Sequence, residues 1–208
     1  MSRSKIWLAL GAVVLAACSS TAKGVSSTTS EVTPTASTVA ANPSPAASPT
    51  PSGWITYNEP AWGYRLSMPG DWHPVPAGET TPAQFRHFSS ENVTNVATLS
   101  GLDSNGMMLT VIVSPANSGC PGTQPPVGWS ESTVPAVAIN IDGYTSVVSG
   151  HQAQDLSNWG VQASAAKGKY CYSFVGLTLN HAAQLKWAPV FEQMLVTFSF
   201  GTPISPPF

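Results

Sequence analysis

The feature that most constrains this chain is an abrupt change of composition at Trp54. Residues 18–53 contain no Leu, Ile, Met, Phe, Tyr or Trp and consist mainly of Ser, Thr, Ala, Pro and Val. Such a segment has too little apolar bulk to form a core, and its prolines favour extended conformations. We therefore predict a disordered linker over 18–53, one globular domain over 54–200 and a Pro-rich tail over 201–208.

The first 17 residues have the organisation of an export signal. Arg3 and Lys5 precede an apolar run over 6–14, which is shorter than the roughly 20 residues needed to span a bilayer. The stretch Leu15-Ala16-Ala17-Cys18 that follows resembles the lipobox of bacterial lipoproteins. This resemblance implies a signal peptide over 1–17, a diacylglyceryl group on Cys18 and residence at the extracytoplasmic face of the cell membrane. The alternatives are an ordinary secretory signal with a chance cysteine and an uncleaved anchor.

The chain has three cysteines, and the lipobox prediction assigns Cys18 to the lipid. Cys120 and Cys171 then remain as an even pair in an oxidising compartment, and we predict a disulfide between them. A thiol redox pair is the alternative, but the Cys-x-x-Cys spacing typical of such pairs is absent from the sequence.

The charge of the chain argues against nucleic acid as a partner. Removal of the signal with its Arg3 and Lys5 leaves six basic against ten acidic residues, and charged residues make up only 9% of the chain. Proteins that bind nucleic acid through its phosphates need a basic surface. We therefore predict the membrane, through the N-terminal lipid, and a protein, glycan or lipid of the cell envelope as partners.

Period-two alternation and short apolar runs bounded by turn residues predict many β-strands. Tyr64, Leu66 and Met68 share one face of a strand that ends at Pro69-Gly70, and Asp142-Gly143 marks a hairpin turn. The predicted strands are 54–57, 64–68, 84–89, 107–113, 132–140, 144–148, 161–165, 170–179 and 196–200.

One amphipathic helix is predicted near the end of the domain. Its apolar residues recur at the spacing of a single helical face: Trp187, Val190, Phe191, Met194, Leu195 and Phe198. Pro189 suits the first turn of a helix that starts near Trp187. A helix that begins earlier, with Asn180 as its cap, would be kinked at this proline.

The start of the domain also carries a family resemblance. A Gly-Tyr-x-Leu-x-x-Pro-x-x-Trp stretch resembles the PsbP-like fold shared by Mog1/PsbP proteins and bacterial lipoproteins of the LpqN type; its residues are Gly63, Tyr64, Leu66, Pro69 and Trp72. Residues 139–147 resemble a strand–turn–strand of that family, and residues 191–200 resemble its last helix and edge strand. The resemblance implies an α+β, α/β/α-like fold in which an antiparallel β-sheet packs with helices. It implies no reaction.

The sequence contains no motif for catalysis, metal binding or cofactor binding. A G-x-S-x-G nucleophile motif, an H-E-x-x-H zinc motif and the Gly-rich phosphate loops are absent. The four histidines lack ligand spacing and are predicted to lie at the surface or partly buried: His73, His87, His151 and His181. We therefore expect no catalytic residue, no metal site and no cofactor.

Tryptophans supply the candidate binding residues. Trp62 and Trp129 lie in Gly- and Pro-rich segments, where indole rings can be exposed, and exposed indoles favour sugar stacking or protein contacts. These two are the candidate ligand-binding residues, although the sequence favours the interpretation that they fix loops onto the core. Trp72 and Trp187 are predicted to belong to the core.

Together these observations predict a non-enzymatic binding or accessory module in the cell envelope, with an unidentified ligand. An envelope hydrolase is the first alternative, and it predicts a deep pocket with at least two His, Asp or Glu side chains within hydrogen-bond reach. A structural or spacer lipoprotein is the second alternative, and it predicts a sheet face without a concavity.

Overall fold

A computed structural model describes residues 50–76, 84–116, 120, 128–130, 133–154 and 157–204. The chain divides into two compact units, Met1–Ala41 and Asn42–Phe208, and the described residues all belong to the second. The predicted signal peptide, the lipidation site Cys18, most of the predicted linker and the end of the predicted tail lie outside the described residues.

The described residues form ten β-strands and one α-helix. Each predicted strand has a counterpart, although its ends differ by a few residues, whereas the strand His73–Val75 is unpredicted because three residues around Pro74 carry no periodic pattern. In chain order the elements are β1 (Trp54–Glu59), β2 (Tyr64–Pro69), β3 (His73–Val75), β4 (Phe85–Ser89), β5 (Met108–Pro115), β6 (Val134–Ile141), β7 (Tyr144–Gln152), β8 (Trp159–Lys167), β9 (Tyr170–Thr178), α1 (His181–Val196) and β10 (Ser199–Phe200).

The strands form two antiparallel sheets. A three-stranded sheet has the order β1-β2-β10, and a seven-stranded sheet has the order β3-β4-β5-β9-β8-β7-β6. The predicted turn at Asp142-Gly143 joins β6 to β7. Both of its central residues have positive φ, 48° and 89°, as a type I′ hairpin turn requires.

One face of the seven-stranded sheet, which we call the inner face, carries the main core. Val111 of β5 and Phe174 of β9 project from this face and are fully buried. The three-stranded sheet contributes Leu66, and helix α1 contributes Phe191 and Met194 from its predicted apolar stripe. The small sheet and the helix therefore share a single core with the inner face, since neither could bury its apolar side alone.

An ion pair links the two sheets at the edge of this core. Arg86 on β4 donates from Nε to the Glu59 carboxylate on β1, and the hydroxyl of Tyr57 donates to the same carboxylate oxygen at 3.0 Å. Glu59 is buried, so these two donors replace the water that an exposed carboxylate would have.

The opposite face of the seven-stranded sheet, the outer face, has a smaller core at one end. The connection between β4 and β5 places Val93, Leu99 and Leu102 against Val75 and Met108. Non-helical chain thus covers this end of the outer face. Other parts of the outer face are half-buried, for example at Val175.

Helix α1 starts earlier than predicted. Its first residue is His181, not a residue near Trp187, and Pro189 lies inside the helix instead of in its first turn. Asn180 is the N-cap, and its side-chain oxygen accepts a hydrogen bond from the backbone N–H of Ala183 at 2.8 Å. The cap sets the start of the helix, because it satisfies an N–H group that has no partner within the helix.

The family resemblance implies an α/β/α-like order of layers, and this part of the prediction is wrong. The part of the chain that the structure describes contains one helix, which packs on the inner face, while loops and the smaller core lie on the outer face. The coarser expectation, an antiparallel sheet packed with helical structure, holds. Among the described residues, no helix has the length and apolar character needed to cross a bilayer.

Candidate functional site

Trp62 is a core residue, so its prediction as an exposed binding residue is wrong. Only 2% of its surface is accessible, and it belongs to the main core. The backbone turns at Gly63, whose φ of +63° directs the preceding residue inward, and the hydroxyl of Tyr172 donates to the Trp62 carbonyl at 2.9 Å. The glycine beside Trp62 therefore indicates a turn of the backbone, and it does not indicate an exposed indole ring.

Trp129, in contrast, lies on the outer face and is half-buried. It forms an isolated β-bridge with Ala153, and the N–H of Ser130 donates to the Gln152 carbonyl at 2.7 Å. Residues 128–130 thus run beside the end of β7. The indole ring lies over Gly160 of β8, where a Cβ atom would stand only 3.1 Å from Trp129 Cζ3.

The ring of Trp129 forms one wall of a cleft of about 130 Å³. Strand register brings the other lining side chains to the same face, since His151 pairs with Gly160, Gly160 with Leu177, and Gln162 with Val175. Most of the lining is apolar. The residues that matter for its chemistry are Trp129, His151, Gly160, Gln162, Val175 and Leu177.

His151 connects the cleft to two polar groups. Its Nδ1 lies 3.3 Å from the Ser130 carbonyl oxygen, and its Nε2 lies 2.9 Å from Ser149 Oγ. Because a carbonyl only accepts, Nδ1 carries the proton, and the Ser149 hydroxyl then donates to Nε2. Burial lowers the pKa of His151 against a smaller opposing effect of the Ser130 hydrogen bond, so the ring is uncharged at neutral pH.

His87 is a second buried histidine on the outer face. Its Nδ1 lies 2.9 Å from Thr110 Oγ1, and burial, followed by the charge of Arg86, lowers its pKa. The prediction that all four histidines lie at the surface or partly buried is therefore wrong for His87 and His151, because hydrogen bonds to polar partners make their burial tolerable. His73 is exposed and His181 is half-buried.

The two cysteines that the sequence pairs are joined by a disulfide. The Sγ atoms of Cys120 and Cys171 are 2.13 Å apart and their Cα atoms 5.3 Å apart. Cys171 is on the outer-face register of β9, two and four residues from Ser173 and Val175. The bond therefore fixes Cys120 to a central strand, at the end of the outer face away from Leu177.

Metal-ligand clusters are not found in the part of the chain that the structure describes: no group of three or more His, Cys, Asp or Glu side chains is placed to hold an ion. Within the same residues, the cleft contains one histidine and no carboxylate. The sequence analysis missed the contact between Ser149 and His151. The one sequence signal for this contact is the spacing of a Ser and a His two positions apart in a strand. This spacing places both side chains on one face of the sheet, but it is common by chance.

No family model matches the chain, and no curated protein matches it. The chain is similar to the solution structure of cyanobacterial PsbP (CyanoP) from Synechocystis sp. PCC 6803, with 12% identity and a TM-score of 0.45 over 71% of this chain and 92% of that chain. It is also similar to a crystal structure from Bacteroides thetaiotaomicron VPI-5482, with 10% identity and a TM-score of 0.40, covering 71% of this chain and 48% of that chain. The chain thus spans about half the length of the second protein. Both are distant likenesses of fold, and the strand pairing described above stands independently of them.

Proposed function

We propose that this protein is a lipid-anchored binding module of the cell envelope, whose PsbP-like domain docks an apolar side chain of a protein partner in the Trp129 cleft. The observation that carries the docking proposal is the cleft itself, a concavity with a Trp wall on the outer face. The anchor rests on the lipobox at Cys18, and the PsbP-like assignment rests on the stretch from Gly63 to Trp72.

The size of the cleft favours a single side chain over a whole small molecule. Pockets for drug-sized ligands usually measure about 300–1,000 Å³. The Trp129 cleft measures about 130 Å³, close to the roughly 150 Å³ of an apolar cavity that holds one benzene ring. The cleft therefore suits a branched aliphatic or single-ring group that projects from a larger partner.

The lining favours an apolar group over a sugar. Val175, Leu177 and the Gly160 backbone form its floor, and His151 already has partners for both ring nitrogens. A sugar needs several polar side chains around the aromatic ring to bind its hydroxyls, and burying unpaired hydroxyls here would cost free energy. Protein–protein hot spots are enriched in Trp and lie in well-packed pockets from which water is excluded, as an apolar cleft beside Trp129 allows.

The cleft alone would give weak binding. Burial of one Leu-sized side chain contributes about 1.5–3 kcal/mol, which corresponds at best to millimolar affinity for an isolated group. The rest of the affinity must come from contacts around the cleft. Attachment of the domain to the membrane by a tether would also raise its local concentration near membrane partners.

Saturation-transfer NMR on the full mature chain tests the choice of ligand. We expect N-acetyl-leucinamide to receive saturation at millimolar concentration and methyl glucoside to receive none. The Trp129→Ala variant should lose the leucinamide signal, whereas Ile55→Ala, which removes an exposed apolar side chain of β1, should keep it. A saturation-transfer signal for the glucoside that is lost in Trp129→Ala would contradict a protein partner and indicate a glycan as the ligand instead.

The anchor has its own test. Expression of the full chain in a bacterial host that processes lipoproteins should place the wild-type protein in the membrane fraction. The Cys18→Ala variant should be released or remain unprocessed, because it has no thiol to accept the lipid. Equal membrane association of both forms, with Cys18→Ala cleaved normally, would contradict lipid anchoring.

A further inference from the structure

The outer face carries a pair of side chains that docking does not use. Ser149 and His151 are two residues apart on β7, so both point to this face, and both are buried, with 5% and 4% of their surface accessible. We propose that Ser149 is a nucleophile for small acyl esters and that His151 is its base. This proposal goes beyond the docking function and does not depend on it.

The two hydrogen bonds of the His151 ring run in the direction that nucleophilic catalysis needs. The Ser130 carbonyl holds the proton of His151 on Nδ1, which leaves Nε2 free to accept from the Ser149 hydroxyl at 2.9 Å. A hydroxyl bonded to a neutral imidazole, with a third group that orients the ring, is the arrangement of Ser–His nucleophile pairs. Here a backbone carbonyl takes the place of the usual carboxylate.

The histidine of the pair borders a space for a substrate. His151 lines the Trp129 cleft, and so does Gln162, which is the direct register partner of Ser149 on β8. Ser149 itself is buried and lies beside these two residues on the outer face, hydrogen-bonded to His151 and paired in register with Gln162. Gln162 carries an amide group on the same face, a donor type that stabilises the oxyanion of an acyl-transfer intermediate.

The reaction can be written with all atoms accounted for. Ser149 Oγ attacks the ester carbonyl carbon while its proton moves to His151 Nε2, and a new O–C bond forms. The carbonyl re-forms as the bond to the leaving oxygen breaks, and His151 gives its proton to that alkoxide. Water then attacks the acyl-serine with His151 as base, which releases the carboxylic acid and restores the Ser149 hydroxyl.

The volume of the cleft limits the acyl group. About 130 Å³ holds an acetyl or a short branched acyl chain and excludes a long fatty acyl chain. The predicted substrates are thus small esters with a good leaving group, and the rate is expected to fall as the acyl chain is lengthened.

The test uses p-nitrophenyl acetate with the full mature chain. We expect release of p-nitrophenol above the rate of buffer, and peptide mapping by mass spectrometry after acid quench should find one acetyl group on Ser149. Ser149→Ala should lose at least tenfold in rate and the acetylated peptide, and His151→Gln should lose about a hundredfold.

Ser146→Ala is the matched control, since Ser146 is a buried serine on the same strand whose hydroxyl donates to the Ser164 carbonyl at 2.7 Å. It should keep the wild-type rate. Circular dichroism of each variant separates a lost nucleophile from a lost fold. Acetylation spread over lysines with none on Ser149, or a wild-type rate equal to buffer, would overturn the proposal while leaving side-chain docking in the cleft untouched.

Discussion

At the scale of single residues, Trp62 and Trp129 show how differently two similar sequence neighbourhoods can fold. Both indoles follow or precede a glycine, yet Trp62 is enclosed by the main core and Trp129 covers Gly160 at the surface. The difference depends on contacts between residues far apart in the chain, such as the bridge between Trp129 and Ala153. Local composition cannot report such contacts, so the sequence gives no means to rank the two rings.

The two tryptophans should therefore differ in their contribution to stability. Trp62→Ala should lower the free energy of unfolding by about 3–5 kcal/mol, because it leaves a cavity in a closed core. Trp129→Ala should lower it by about 1 kcal/mol, since half-buried side chains lose less packing. Urea unfolding of the wild-type protein and both variants measures these changes, and equal losses would contradict the assigned environments.

The buried histidines predict a pH dependence of stability. Burial lowers the pKa of His87 and His151 below the ordinary histidine value of about 6.5 in the folded state, so the unfolded state binds more protons as the pH falls below that value. The free energy of unfolding should therefore decrease from pH 6.5 downward and be fully retained above it. Urea unfolding at a series of pH values measures this slope.

His87→Gln and His151→Gln should each make that slope shallower, whereas His73→Gln should leave it unchanged because His73 is exposed. A His73 variant with the same flattening as the buried-site variants would show that burial is not the cause.

At the scale of elements, the sequence predicted the strands better than the helix boundary. Alternation at Tyr64, Leu66 and Met68 identifies β2 because period two is a property of the strand alone. The start of α1 depended on two competing signals, a proline that suits a first turn and an asparagine that suits a cap. The helix starts after Asn180 because the side chain of Asn180 forms the capping hydrogen bond. Pro189 is tolerated inside the helix at an exposed position.

The N-cap can be tested by substitution. Asn180→Ala removes the bond to the Ala183 N–H and also the bond from Asn180 Nδ2 to the Ser104 carbonyl at 2.6 Å. We expect a loss of about 1–2 kcal/mol in the free energy of unfolding. Gln193→Ala, at an exposed position of the same helix, should change it by less than about 0.5 kcal/mol. Thermal unfolding followed by circular dichroism distinguishes the two results, and equal effects would argue against the cap.

At the scale of the whole molecule, two sheets and one helix share a core, and a disulfide secures the outer face. The position of the cleft follows from this arrangement, because the helix and small sheet cover the inner face, whereas the Trp129 cleft opens on the outer face. The sequence could predict the strands, the apolar helix face and the cysteine pair. It could not predict the cleft, since Trp129, His151 and Leu177 meet only through the order of strands β7, β8 and β9.

The disulfide should contribute substantially to stability. Cys120 and Cys171 are 51 residues apart, and a cross-link over a loop of this length stabilises a fold by about 4 kcal/mol in the chain-entropy description. Cys120→Ser combined with Cys171→Ser should therefore lower the free energy of unfolding by up to this amount. Reduction of the wild-type protein should have the same effect, and an unchanged unfolding midpoint after complete reduction would contradict the prediction.

The central claim is that the Trp129 cleft is where the domain binds an apolar side chain of a partner. NMR of the mature chain, with assigned indole N–H and methyl resonances, tests the location directly during a titration with N-acetyl-leucinamide. We expect saturable shifts of the Trp129 indole and of the Val175 and Leu177 methyls, while the buried Trp62 indole stays unchanged. Shifts that cluster at another surface, or none at the cleft up to the solubility of the amide, would contradict the claim.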